Sequence, residues 1–385
     1  MKYVDEFRDG DRARSLTQAI AAEVRPGRSY RFMEFCGGHT HAVFRYGVPD
    51  LLPANVDLIH GPGCPVCVLP IGRLDMAIRL AIDHPEVILC SYGDMLRVPG
   101  SGRLSLFKAR AQGADVRMVY SVSDALDLAR TNPDREVVFF AIGFETTTPP
   151  TALGLLAARR EGIENFSVFC NHVLTPAAMG AILNVDEAAD EHVEIDGFIG
   201  PSHVSVVIGS DAYRFCAARH RKPVVIAGFE PLDVLQSLLM LIRQINERRA
   251  DIENQYRRAV TPEGNGRAQA VMAEVFTRRD TFEWRGLGEI PQSALALAEG
   301  FRDYDAEVRF AMPYTAASGT KSCDCPAVLR GTKKPTDCKL FARVCTPENP
   351  LGSCMVSDEG ACAAYYTYGR FRDTTRGTSD LAHSA

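Results

Sequence analysis

No apolar run in this sequence approaches the about 20 residues that cross a bilayer, which argues against a membrane-spanning helix. The opening stretch, Met1-Lys2-Tyr3-Val4-Asp5-Glu6-Phe7, lacks the apolar core of a signal peptide. The expected location is therefore the cytoplasm, where thiols stay reduced and can act as ligands. A broad basic field is missing too. Against 43 Lys and Arg stand 48 Asp and Glu, a net charge of −5, so nucleic acid is not an expected partner. Neither a G-x4-G-K-[ST] phosphate loop nor a complete dinucleotide fingerprint occurs, which argues against nucleotide use.

Cysteine is what the chain has in quantity, and it is unevenly spread. Of 12 cysteines, six fall between Cys323 and Cys362. Two more form Cys64-Pro65-Val66-Cys67 directly after Gly61-Pro62-Gly63, and another opens Cys36-Gly37-Gly38-His39-Thr40-His41. Clustered thiols in a reducing compartment point to metal or redox chemistry, not to a disulfide scaffold.

At 385 residues the chain exceeds the size at which one core stops growing, so two or three domains are expected. Short runs rich in Val, Ile and Phe predict strands at 30–35, 56–60, 86–92, 116–121, 136–142, 165–170, 195–199 and 223–227. Helix-like segments at 70–82, 123–130, 151–161 and 175–183 lie between several of them. That alternation implies parallel α/β layers. Two echoes hint at related units: Gly143-Phe144-Glu145 matches Gly228-Phe229-Glu230, and Ile59-His60-Gly61-Pro62 resembles Phe198-Ile199-Gly200-Pro201. Strand-end turn chemistry alone could produce both. Pro231 then opens a long helix with an apolar stripe of Leu235, Leu238, Leu239, Ile242 and Ile245. A loop is expected at 261–266, helical segments near 268–276 and 291–300, and disorder at 372–385. The tail at 323–362 is too poor in aliphatics to build a core, so something other than burial must hold it.

Cys323, Cys325, Cys338, Cys345, Cys354 and Cys362 lack the paired C-x2-C knuckles of a zinc ribbon. Irregularly spaced thiolates in a loop suit an iron–sulfur cluster, with zinc and free thiols as the other readings. Spacing does not say which four would bind. Arg330, Lys333, Lys334, Lys339 and Arg343 lie among them and would offset the negative charge. Cys64 and Cys67 sit where a helix begins, a position that lowers a thiol pKa from ~8.5 toward ~7 and suits a redox dithiol. Half of a zinc knuckle is the alternative, but no second half exists. Around Cys36 two glycines let the chain turn sharply, and a thiolate with an imidazole suits Fe or Zn, or an activated nucleophile. Both motifs follow predicted parallel strands, at the sheet edge where α/β proteins gather ligands. Cys90, Cys170 and Cys216 read as small buried hydrophobes, and His172 and His203 as structural hydrogen-bonding groups. Thr146-Thr147-Thr148 reads as a helix cap or a polar loop.

Together these elements resemble the HypD family of [NiFe]-hydrogenase maturation factors, over nearly the whole chain. The resemblance rests on residues 36–41, Gly61 to Cys67 and Gly143-Phe144-Glu145-Thr146-Thr147. It includes Pro201-Ser202-His203-Val204-Ser205, Cys345-Thr346-Pro347-Glu348-Asn349-Pro350 and Gly360-Ala361-Cys362-Ala363-Ala364-Tyr365-Tyr366. It implies two related parallel-sheet α/β domains, at 29–120 and 121–228. A smaller, mainly helical and loop domain, 1–28 with 229–385, would carry a [4Fe–4S] cluster in its 323–362 tail. The implied activity is scaffolding, in which Fe(CN)2CO is assembled with a HypC-type chaperone, cyanide arriving from a HypE thiocyanate made with HypF. The family's cluster spacing, C-x12-C-x6-C-x16-C, falls on Cys325, Cys338, Cys345 and Cys362. Cys36, with His39 nearby, would hold the transient Fe(II) as it gains CN and CO ligands, and Cys64 and Cys67 would supply two electrons by closing to a disulfide. The competing functions are a stand-alone iron–sulfur thiol–disulfide oxidoreductase, which leaves residues 36–41 without a role, and a zinc-stabilised interaction scaffold.

Overall fold

The computed structural model describes residues 5–185, 192–317 and 322–369; the segment 372–385 lies outside them. The strands that build the fold are β1 (Tyr30–Glu34), β2 (Val56–His60), β3 (Val87–Ser91), β4 (Val116–Met118), β5 (Glu136–Gly143), β6 (Phe166–His172), β7 (Gly197–Pro201), β8 (Val224–Ala227) and β9 (Ile252–Asn254). All the expected strands form, within a few residues of their expected ends. Their legibility has a physical cause: parallel strands covered on both faces read as continuous apolar runs. In β5 every residue after Glu136 is buried.

The strands form two sheets, β2-β1-β7-β8-β9 and β4-β3-β5-β6. Every pairing within them is parallel. Counted along the chain, each sheet begins second-first-third-fourth, so the two share a topology. The second sheet is inserted whole between β2 and β7 of the first. This differs from the boundaries expected at 120 and 228: β3 and β4 join β5 and β6, while β7 and β8 return to β1 and β2. A buried strand looks the same in either sheet, so nothing in its composition marks the insertion. Nor do the sequence echoes mark equivalent positions, since Gly143 ends the third strand of its sheet and Gly228 follows the fourth strand of the other. They reflect strand-end turns.

The long helix Pro231–Asn246 buries Leu235, Leu238, Leu239 and Ile242 against the first sheet, and Gly10–Glu23 packs beside it. Beyond it lie two small antiparallel ladders, Phe276–Arg278 with Leu295–Leu297 and Thr281–Trp284 with Gly288–Pro291. The helix expected at 291–300 is therefore a strand followed by the 3-10 turn Glu299–Tyr304. Leu295 and Leu297 are buried and Ala296 between them is half-buried, the two-residue period of a strand. The ladders also make this part of the chain less helical than expected. A polar cluster around the buried Arg73 ties it to the sheets: Arg73 donates to Asn171 Oδ1 at 2.6 Å and to Glu307 Oε2 at 2.8 Å. Among the described residues no helix is long and apolar enough to cross a membrane.

Candidate functional site

Strands β1 and β2 are neighbours in register, with Glu34 opposite His60. The loops leaving their carboxyl ends therefore meet. Cys36 caps the helix Gly37–Arg45, and Cys64 caps the short helix Pro65–Val68, its Sγ accepting from Cys67 N at 3.1 Å. Gly37 N donates to Gly63 O at 3.1 Å, joining the two loops directly. A Cβ at Gly63 would stand 2.5 Å from Cys36 N and 2.6 Å from its Cα, so only glycine allows this approach. Cys64 and Cys67 form a disulfide across Cα atoms 5.2 Å apart, while Cys36 is a free, half-buried thiol.

Acidic groups surround Cys36. Its thiol pKa is pushed up, first by burial and then by the carboxylates of Glu359 and Glu34, while backbone N–H groups of Gly38 and His39 act in the opposite direction. Such a thiol is protonated until a cation replaces its proton. Glu34 organises the loop. Fully buried, it accepts from Cys36 N at 3.1 Å, from His60 Nδ1 at 2.8 Å and from the Thr40 hydroxyl. His39 is fully buried as well, with Nε2 at 3.1 Å from the carbonyl oxygens of both Ala227 and Gly228.

All six tail cysteines line one small cavity, together with Phe341, Gly352 and Met355. Cys325 Sγ touches Cys354 Sγ at 2.6 Å. Hydrogen bonds from Cys323 and Cys354, with help from nearby Arg285, hold the Cys325 thiol low; Cys323 and Cys354 are pushed up in return. No group of three or more His, Cys, Asp or Glu side chains among the described residues is arranged to hold a single metal ion. Six soft donors around one cavity do fit the charge and ligand preferences of an iron–sulfur cluster. Ser353 links this cavity to the dithiol. Its hydroxyl donates to Cys67 O at 2.9 Å and lies 3.7 Å from Cys325 Sγ.

Other expected residues lie elsewhere. Cys90, Cys170 and Cys216 are fully buried in the cores. His172 bonds Thr151 Oγ1 at 2.9 Å deep in the second sheet, and burial lowers its pKa to about 4. Glu145 of the Gly-Phe-Glu turn is buried and accepts from Thr175 N and Oγ1, both at 2.9 Å; burial raises its pKa to about 7. Thr147 caps the helix Thr148–Glu161 by position, without a side-chain capping bond. His203 packs its ring at a tilt against Phe229, centroids 4.3 Å apart, beside the Cys36 loop. Glu34, Ser353 and Glu359 were not singled out from the sequence. Glu34 alone carried a signal, as a carboxylate inside the apolar run Phe32-Met33-Glu34-Phe35.

Residues 11–369 match the family model described as "HypD: Hydrogenase formation hypA family". The chain is 67% identical over 372 residues to hydrogenase maturation factor HypD of Azotobacter vinelandii, covering 97% of this chain and 98% of that protein. HypD of Cupriavidus necator is 61% identical over 374 residues, with 97% and 98% covered. HypD of Escherichia coli (strain K12) is 46% identical over 373 residues, with 96% and 98% covered.

Proposed function

The chain belongs to the HypD family of hydrogenase maturation factors, and on that premise we propose that it is the redox-active scaffold on which Fe(CN)2CO is assembled. The observation that carries this reading is the junction of three thiol groups: the Cys36 loop is bonded to the Cys64 loop through Gly63, and Cys67 is tied to the tail thiols through Ser353.

The substrate iron binds at Cys36, the thiol proton leaving as the metal arrives, while Glu34 and Glu359 favour the incoming cation. A HypC-type chaperone supplies a second sulfur ligand. Cyanide comes from a HypE thiocyanate, charged with HypF. The sulfur–carbon bond of the thiocyanate breaks, cyanide passes to the iron, and the leaving sulfur takes up a proton. The two electrons come from the Cys64 and Cys67 thiols, which lose two protons and form the S–S bond. Cys325, Cys338, Cys345 and Cys362 would hold the [4Fe–4S] cluster, the cavity supplying a matching donor set. When bound, that cluster would supply single electrons, and the Cys64–Cys67 disulfide would be their acceptor, reopening to the dithiol. The stand-alone thiol–disulfide oxidoreductase explains Cys64 and Cys67 but not the acidic, glycine-turned setting of Cys36. Infrared spectra of the chain with the chaperone test the reading: cyanide and carbonyl stretches support it, and their absence with iron bound at Cys36 overturns it.

A further inference from the structure

The turn Gly228-Phe229, an echo left without a role by the redox reading, packs against the Cys36 loop. We propose that Phe229 and the carbonyl groups of Ala227 and Gly228 are the positioning element of His39, holding its ring with the proton on Nε2 and the lone pair on Nδ1. This rests on the reading of Cys36 as the iron-binding thiol.

The geometry leaves one tautomer. Nε2 lies 3.1 Å from two carbonyl oxygens, Ala227 O and Gly228 O, and neither can donate. That nitrogen must carry the proton, which leaves the lone pair on the other. Nδ1 is buried and has no hydrogen-bond partner among the described residues. A buried acceptor without a donor is the exception in proteins, and a bound ion is one of the few things that accounts for it. It lies three residues after Cys36, on the first turn of the helix that Cys36 caps.

Phe229 fixes the plane of that ring. Its own ring lies 4.8 Å from that of His39 and 4.3 Å from that of His203, centroid to centroid. It also packs directly on Gly38, where any Cβ would stand 2.6 Å from Phe229 Cε1. The turn is itself braced from below. Gly228 N donates to Gln255 Oε1 at 3.2 Å and Glu230 N to Asp233 Oδ2 at 3.3 Å. Asp233 is fully buried and paired with Arg258, whose Nη1 lies 2.9 Å from Oδ1. A metal-binding histidine needs its second nitrogen held by a carbonyl or carboxylate, and here two carbonyl groups do so.

The test begins on the iron-free full chain, labelled with 15N-histidine. Long-range nitrogen–proton NMR should find His39 protonated at Nε2 and not at Nδ1; the opposite tautomer overturns the proposal whatever the function of the chain. Phe229→Leu should then disturb the His39 signals and weaken retention of anaerobically added Fe(II) by roughly tenfold or more. Phe229→Tyr, which keeps the ring, should restore both. A Phe229→Leu chain with unchanged His39 signals and unchanged iron retention would also overturn it. Failure of the Cys36 reading is seen separately, as iron retention that survives Cys36→Ser.

Discussion

Ser353 donates a hydrogen bond to the carbonyl oxygen of Cys67 at 2.9 Å, across a sequence separation of 286 residues. The same hydroxyl lies 3.7 Å from Cys325 Sγ, so one small side chain touches the dithiol turn and the tail cavity at once. Burial of all its atoms makes the contact costly to lose. Ser353→Ala should destabilise the chain by about 1 kcal/mol in denaturant titration. Re-reduction of the Cys64–Cys67 disulfide after dithionite addition should slow roughly tenfold or more, as small misplacements of reacting groups do. A variant that re-reduces at the wild-type rate would remove Ser353 from the electron route.

In the proposed mechanism Cys64 and Cys67 deliver two electrons by closing their disulfide, a step that either thiol alone could not perform. Cys64→Ser should abolish cyanide transfer while the anaerobic chain keeps its brown absorbance near ~400 nm. Full transfer in that variant would end the dithiol's assigned role.

The tail offers six thiols, of which the proposed cluster would take four. Cys338→Ser, Cys345→Ser and Cys362→Ser should each lower bound iron and sulfide. The fourth ligand has a rival, because Cys325 is in sulfur contact with Cys354 at 2.6 Å and Cys323 lies beside it. Cys325→Ser is expected to lose the cluster and Cys323→Ser to keep it. Loss in the Cys323 variant alone would move the ligand there and leave Cys325 and Cys354 as a thiol pair.

How far the sequence discloses such a site depends on the element. Buried parallel strands such as β5, apolar after Glu136, are legible; β9, three half-buried residues at a sheet edge, is not. Leu295 and Leu297 do not announce their strand, because a short run with two leucines fits a helix turn as well as a strand. The two cysteine motifs were visible as motifs, and their meeting follows from the β1–β2 pairing. Contacts made by single residues from distant segments, such as Ser353 on Cys67 and Glu359 beside Cys36, leave no periodic trace. The insertion of one sheet into another leaves none either.

Two buried groups at the second sheet set opposing pH dependences. His172 falls from 6.5 to about 4, so the unfolded chain binds the extra proton between those values and stability rises with pH there. Its contribution is complete above ~6.5 and lost on acidification toward ~4. Glu145 rises from 4.5 to about 7, so the folded chain holds the extra proton and stability falls as pH passes from ~4.5 to ~7. Each effect is about 3 kcal/mol, and between pH ~4.5 and ~6.5 they offset. Relative to wild type, His172→Gln should therefore lose stability with rising pH across that window, and Glu145→Gln should gain it. Denaturant midpoints at pH 5 and 7 check both. Parallel slopes in all three chains would refute the assignment.

At Gly63 the Cys64 loop lies against the Cys36 loop, and the atoms it faces are backbone. A methyl group there would stand 2.5 Å from Cys36 N and 2.8 Å from the carbonyl carbon of Phe35. A flexible side chain could swing away from such a clash; two backbone segments at the ends of β1 and β2 cannot. Gly63→Ala should therefore part the loops, breaking the bond from Gly37 N to Gly63 O, at a cost of about 1–3 kcal/mol. The tail cavity meets the dithiol turn through Ser353 and not through Gly63, so bound iron and sulfide should be unchanged. Under the proposed mechanism cyanide transfer should fall steeply, because the dithiol would no longer lie against the thiol assigned to the iron. A Gly63→Ala chain that keeps its cluster and transfers cyanide at the wild-type rate would show that Cys36 and the dithiol need not be adjacent. The assembly step would then have to be sought at some other pair of thiols.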